Sequence, residues 1–459
     1  MRLDVGPVAH GGHCVARYQG RVVFVRHALP EEQVTARLTE AGPADRFWRA
    51  DAVEVHTASA DRVESACPLS GPGACGGCDW QHVGIGAQRA LKAAVVIEQL
   101  TRLGRIDPGH PVLAGLRVRA VPGDTGGLGW RTRVRFAVDD RGRPGLRRHR
   151  AHDVVPVPHC PIAHPGVDEV QAGLKRWPGS AAVEVVVAPD PARPQEVQHL
   201  VVVEPREAGP AASGRSRVDV PPLAVEASVA RRGPQGLQRL RGRTWVEESV
   251  TVDGTRRTFR VTGGGFWQVH PGAAQTLLDT VLELADPRPG ETALDLYCGV
   301  GLFTAGLALR VGATGTVLGV EGDPRGAADA RRSLHDLPMV RLESGGVEPV
   351  LRGLTGSGEL AGADVVVLDP PRSGAGRKVV EAVTALRPRV VVYVACDPAA
   401  LARDVATAAG LGYRLDGLAA FDTFPMTHHV ECVARLVPDP ASGADQVPGT
   451  GQGGSADLR

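Results

Sequence analysis

The chain has 459 residues, enough for two or three domains at about 150 residues each, and 43% of them are hydrophobic, which supports packed cores. No apolar run approaches the ~18 residues of a membrane span, and the start MRLDVGPVAHGG lacks the apolar stretch of a secretory signal. A net charge of +1 excludes a polycation; a cytoplasmic monomer with no membrane partner is expected.

Residues 1–60 alternate in the β manner. VGPVAHGGHCVARYQGRVVFV predicts two short strands joined through YQG, followed by a further strand at VTARLTE. Such a pattern suits an OB-like barrel that binds nucleic acid, or a small sandwich with no ligand. Residues 61–90 carry three cysteines among many glycines, and LKAAVVIEQLTRLG (91–104) has helical spacing with a Gly stop. Residues 61–262 are expected to form a central antiparallel α+β domain, with strands at VRFAV, AAVEVVVA, HLVVVEP and RTFRVT. Its Pro/Gly/Ser-rich stretch Pro205–Arg217 predicts a surface loop.

From 263 to 437 strands and helices alternate. TALDLY, TVLGV, DVVVLD, VVVYVA and VECVARLV are apolar runs with helices between them, such as FTAGLALR and AALARDVATAAG. That is the signature of a parallel, doubly wound α/β sheet. Residues 438–459 predict a disordered tail.

Charge is uneven along this plan. Arg131–Arg150 holds eight Arg against two Asp, and Arg231–Arg243 holds five Arg and no acid. Either patch suits phosphates or is merely a solvated basic face. The stretch from Trp130 to Arg150 is the expected phosphate track.

The loop Asp295-Leu-Tyr-Cys-Gly-Val-Gly301 ends the first strand of the doubly wound region and opens a helix. Its glycines permit a tight turn and close backbone approach to a nucleotide-like ligand. Glu321 ends the second strand, where a carboxylate can accept both ribose hydroxyls. Asp369 ends the fourth and points at the same crevice, although it could instead only cap a helix.

Cys396 follows the strand VVVYVA and precedes a helix, where an N-terminal dipole favours the thiolate. Glu431 starts the last strand. If that strand runs antiparallel, Glu431 lies on the edge that carries Cys396. His428 and His429 are competing bases. Cys298 and Cys432 suit packing, and Cys14 falls in the N-terminal strands.

The segments FWQVHP, DLYCGVGLFT, DPPRSG, YVACDPAALARD and DTFPMTHHVE resemble, in order, the motifs of the RNA uracil-C5 methyltransferase family. The resemblance implies a class I methyltransferase sheet. It also implies S-adenosylmethionine contacts from Gln268, Tyr297, Glu321 and Asp369, with Cys396 as nucleophile and Glu431 as base. C5 of uracil attacks a sulfonium methyl poorly. A thiolate adding to C6 makes C5 enolate-like, and a base must then remove the C5 proton. Three departures stand out: Asp397 replaces the usual Asn, Leu302 stands where some members have Asn, and Gly346 replaces a polar residue that meets the adenine.

Cys67-x7-Cys75-x2-Cys78 with the distant Cys160 offers four thiolates, which suit zinc or a 4Fe–4S cluster. The arrangement resembles the cluster of the rRNA-directed branch of the family, with a slightly longer first spacing. VAHGGHCVARYQGRVVFVRHALPEEQV resembles a TRAM domain, with Glu31 where that family usually has Gly. Arg17, Arg21 and Arg26 would grip an RNA backbone. Together these features imply 23S rRNA as the substrate, with tRNA as the alternative target. An iron–sulfur oxidoreductase with a Rossmann domain is the alternative of another class.

Overall fold

The computed structural model describes residues 1–42, 44–206 and 219–440. The expected loop at Pro205–Arg217 and the tail at 438–459 fall almost wholly outside these residues.

Five strands, Arg2–Val8, Cys14–Tyr18, Arg21–Arg26, Gln33–Glu40 and Phe47–Thr57, close into a barrel in the order first, second, third, fifth, fourth. Period-2 alternation sends Leu3, Val5, Val23, Val25, Val34 and Ala36 inward, where none is more than 5% exposed. The fourth strand is entered through a turn with Glu31 at φ 68°, the left-handed region that glycine occupies without strain. Next to it, buried Glu32 accepts from Leu29 N, Ser59 N and the Arg62 guanidinium, fixing the turn despite that strain.

The central region contains a seven-stranded sheet. Its order is Gly236–Arg241, Ser228–Gly233, Arg193–Pro205, Ser180–Asp190, Arg133–Val138, Pro144–Arg147 and Val154–Pro156. All pairings are antiparallel except one: Arg193–Pro205 and Ser228–Gly233 run parallel, which departs from the expected all-antiparallel pattern. The long connection between those two strands gives the chain room to cross back, which a parallel pair requires.

Three segments expected in the central region are built into the C-terminal layer instead. Helix Ile85–Arg102 starts earlier than the 91–104 pattern suggests and packs on helix Pro398–Ala409. Strand Val118–Ala120 adds to the C-terminal sheet, parallel to Tyr413–Asp422. The hairpin Trp245–Val252/Thr255–Thr262 places Val246, Phe259 and Val261 in one core with helix Ala273–Ala285. Lys92 anchors the first of these: its fully buried ammonium lies 2.5 Å from Asp422 Oδ1 and 3.0 Å from the Phe424 carbonyl.

The C-terminal sheet has eight strands in the order Val340–Ser344, Thr316–Glu321, Thr292–Leu296, Val365–Leu368, Val390–Ala395, Glu431–Pro438, Tyr413–Asp422 and Val118–Ala120. The first five are mutually parallel, and Glu431–Pro438 is antiparallel to both its neighbours. Val365–Leu368 and Val390–Ala395 are buried at every position, as strands covered on both faces must be. Alternate residues serve two cores. Val365, Val367, Val390 and Val392 face one, while Val366, Leu368, Val391 and Tyr393 face the other. The strand-to-helix turns collect at one edge, which builds the site. Among the described residues no helix is long and apolar enough to cross a membrane.

Candidate active site

The reversal of strand order beside Thr292–Leu296 opens a crevice at the carboxyl ends of the parallel strands. Asp295, Tyr297, Glu321 and Asp369 all arrive there. Tyr297 has φ 68° and donates its N–H to the Val320 carbonyl at 2.9 Å, so the turn leaves the strand sharply. Gly301 sits at φ 95°, a backbone angle that strains any side chain, and a Cβ there would press on Leu334 Cδ1 at 2.5 Å. Glu321 ties the loop to its own strand: Oε2 accepts from Gly299 N at 2.7 Å and Oε1 from Asp323 N at 2.5 Å.

The acids share a dry environment. Asp295 takes a hydrogen bond from Thr304 Oγ1 at 2.6 Å on one oxygen, while its other oxygen is buried with no partner. Burial pushes its carboxyl up to about 7. Asp369 is likewise pushed up to about 7, by burial first and then by Asp295 and Glu321. Gln268 is 7% exposed, in the segment that leads into helix Ala273–Ala285. Gly346 caps helix Val347–Gly356 without a side chain, and a Cβ there would meet only Pro349 at ordinary contact distance.

Cys396 and Glu431 come together through register. Ala395 pairs with Cys432 across the antiparallel strands, so the next residues outward, Cys396 and Glu431, lie opposite each other. Glu431 is 3% exposed, and burial, followed by Asp369, holds its carboxyl well above the usual range. The Cys396 thiol is pushed up to about 12, by burial first and then by Glu431, with Arg372 opposing. The expected thiolate beside a helix dipole is therefore not the resting state. Asp397 already caps that helix through Ala400 N at 2.8 Å, and its charge raises the thiol further. Of the competing bases, His428 is tied to Asp79 at 2.6 Å, and burial brings His429 down to about 3. Cys298 and Cys432 are buried, as packing residues are.

The four clustered cysteines are brought together. Cys67, Cys75, Cys78 and Cys160 line one small cavity, walled by apolar side chains such as Leu146, Val157 and Ile162. Gly77 N donates to Cys75 Sγ at 3.4 Å and Gln81 Nε2 to Cys78 Sγ at 3.5 Å. Burial above all, and the other three thiols with it, push Cys78 up to about 12. Among the described residues no three His, Cys, Asp or Glu side chains are gathered tightly enough to hold a single metal ion as they stand. The cysteine loop also holds the segment that precedes Glu431: the N–H groups of Asp79 and Trp80 both donate to the Met426 carbonyl at 3.0 Å.

Trp130 and Arg133 of the expected phosphate track are buried, while Arg135, Arg141, Arg143, Arg147, Arg148 and Arg150 are exposed. Trp130 is buried and stacks on His270, and Arg133 is buried against the Gly265 carbonyl and Glu248. Neither faces a ligand. Arg148 and Arg150 face Arg37 and Arg49 of the barrel across a cleft in which Glu40 pairs with both Arg49 and Arg150. Arg21 stacks on Trp48 instead, at 4.5 Å.

A doubly wound sheet with acids at its switch point, and a cysteine facing a buried carboxylate, defines a methyltransferase of the class I type. The comparisons agree. Residues 359–437 match the tRNA (Uracil-5-)-methyltransferase family model and residues 1–53 match the TRAM domain. An uncharacterized RNA methyltransferase of Streptomyces avermitilis is 50% identical over 95% of this chain and 98% of its own. The 23S rRNA (uracil(1939)-C(5))-methyltransferase RlmD of Methylococcus capsulatus is 33% identical over 93% of this chain and 94% of its own. The tRNA (uracil-54, C5)-methyltransferase of Pyrococcus abyssi, solved with S-adenosyl-L-homocysteine, shares the fold, with a TM-score of 0.68 and 22% identity, over 95% of this chain and 100% of that one. The chain belongs to the RNA uracil-C5 methyltransferase family, which displaces the oxidoreductase alternative.

Proposed function

We propose that the protein methylates C5 of a uridine in 23S rRNA, using S-adenosylmethionine and a transient bond between Cys396 and C6. The observation that carries this reading is the antiparallel register that sets buried Glu431 opposite Cys396.

The crevice suits the methyl donor: a turn with Tyr297, Gly299 and Gly301 at left-handed backbone angles, an unpartnered buried oxygen on Asp295, and carboxylates at neighbouring strand ends. Gln268, Tyr297, Glu321 and Asp369 would hold it, and it supplies an electrophilic methyl on a sulfonium. The chain's own residues do the rest. Cys396 gives up its proton and its sulfur bonds to C6, which loads electron density on C5. After C5 has taken the methyl, Glu431 removes the C5 proton. The C5–H electron pair re-forms the double bond and expels the sulfur. A base of this kind is worth about 10²- to 10⁴-fold in rate.

Cys67, Cys75, Cys78 and Cys160 would hold a 4Fe–4S cluster, favoured over zinc by an apolar lining and by N–H···S hydrogen bonds of the kind such clusters take. Anaerobically purified protein should be brown and contain about four irons. A colourless protein with one zinc would overturn that part. The rRNA target rests on the RlmD relatives and on these cysteines. The target uridine must leave its stack to reach Cys396, so it lies in a loop or single strand.

Cys396→Ala tests the mechanism: methyl transfer should vanish while S-adenosylmethionine still binds. Mapping 5-methyluridine in total RNA from a strain lacking the gene tests the target, and a site lost from tRNA alone would move the assignment.

A further inference from the structure

The turn joining the first two barrel strands, residues 9–13, reaches the catalytic edge of the C-terminal sheet. His10 Nε2 lies 3.0 Å from Asp397 Oδ2, a contact spanning 387 residues of chain. The other oxygen of Asp397 caps helix Pro398–Ala409 through Ala400 N. Gly12, at φ 79°, packs so closely that a Cβ would lie 2.6 Å from His428 Cβ, and its carbonyl accepts from Trp80 Nε1 at 3.1 Å. His10, Gly11 and Gly12 thus wall the same small pocket that Cys396 and His429 line.

Asp397 has two consequences at this spot. It caps the helix, as an asparagine would, but it also sets a negative charge one residue from the nucleophile, which raises the thiol. A cation beside Asp397 offsets that charge. Resting on the reading of Cys396 as nucleophile, we propose that His10 of the barrel is a positioning residue for the reaction: its imidazolium fixes and neutralises Asp397, so that Cys396 ionises more readily.

Asp397 raises the pKa of His10 chiefly through their hydrogen bond, and Glu98 of helix Ile85–Arg102 adds to this. Burial and Arg403 oppose it, and His428 and His429 line the facing wall. The imidazolium is therefore present below its raised pKa and lost as pH rises through it.

The test combines two readouts on the full-length protein. Iodoacetamide labelling of Cys396, read by peptide mass spectrometry across pH, should be slower in His10→Ala than in the wild type below the His10 pKa. The two proteins should converge in labelling rate as pH rises through the His10 pKa. Single-turnover methylation of rRNA from a strain lacking the gene should slow about five- to tenfold in His10→Ala, as expected for losing a half-exposed charged hydrogen bond, with unchanged RNA affinity. Adding Asp397→Asn to His10→Ala should restore the rate, because the neutral cap needs no cation. A wild-type labelling profile in His10→Ala, a loss confined to RNA affinity, or a double variant as slow as His10→Ala would each overturn the proposal. Cys396→Ala separates the underlying reading: if that variant still methylates, Cys396 is not the nucleophile, whatever His10 does.

Discussion

The catalytic edge of the C-terminal sheet and the two modules around it are assembled in different ways. In the sheet, Asp295, Glu321, Asp369 and Cys396 reach one crevice because each ends, or immediately follows, a parallel strand, and Glu431 joins them because the last strand is antiparallel. Backbone register alone does the work. The barrel and the cysteine loop instead reach the site by side-chain contacts across hundreds of residues, His10 to Asp397 and Asp79 to His428, and Trp80 ties the two to each other through the Gly12 carbonyl. The sheet presents the chemistry, while the modules set the charge and the position of the loops that carry it.

Breaking the junction between the two should have the largest effect on stability. Asp422→Ala leaves the Lys92 ammonium buried without its carboxylate, which should cost about 3–5 kcal/mol and lower the midpoint of urea unfolding. A loss below about 1 kcal/mol, the range of surface pairs, would mean that helix Ile85–Arg102 is not locked to the sheet by this pair.

The acidic limb of the pH–rate profile sharpens the sheet side. Glu431 must be a carboxylate to accept the C5 proton, and its pKa is raised by burial and Asp369. Activity should therefore fall as pH drops through that raised value, about tenfold per unit, with the limb above the ordinary carboxylate range. A limb near pH 4 would place the base in water.

Smaller effects separate local choices within each region. Gly346→Asp adds a capping carboxylate where the structure has open space, and it should tighten S-adenosylmethionine binding by calorimetry about two- to fivefold. Unchanged or weaker binding would show that the adenine lies elsewhere. Glu31→Gly relieves a left-handed residue but frees the unfolded chain, so the barrel should change by less than about 1 kcal/mol in thermal unfolding. A larger loss would mean that the Glu31 side chain has a partner of its own.

This division explains what the sequence disclosed. Apolar strand runs followed by Asp, Glu or Cys announce the crevice, because in a doubly wound sheet the end of a strand is a place in space. The family resemblance added Tyr297, Gln268 and the reaction itself. The protonated state of Cys396 was not legible, since burial and the charges of Glu431 and Asp397 exist only after folding. Nor was His10: nothing near it in the chain marks it, and the one trace was Asp397 standing where the family usually has Asn. The arginine count between Trp130 and Arg150 announced an exposed basic stretch, with Arg135, Arg141, Arg143, Arg147, Arg148 and Arg150 exposed, but not which arginine is buried. Strand Arg133–Val138 turns Arg133 into the core, and composition does not distinguish a buried arginine from a solvated one. Glu31, flagged as a departure, proved to sit at the one backbone angle in its turn where glycine is at ease.

The central claim is that Cys396 bonds to the uridine and Glu431 releases it. Its most direct measurement is Glu431→Gln incubated with undermethylated rRNA and S-adenosylmethionine, followed by denaturing electrophoresis and mass spectrometry of the nuclease-trimmed protein. The account predicts a denaturant-stable adduct at Cys396 carrying one nucleotide that has already gained its methyl group. A variant that turns over freely, or a complex that dissociates on denaturation, would contradict it.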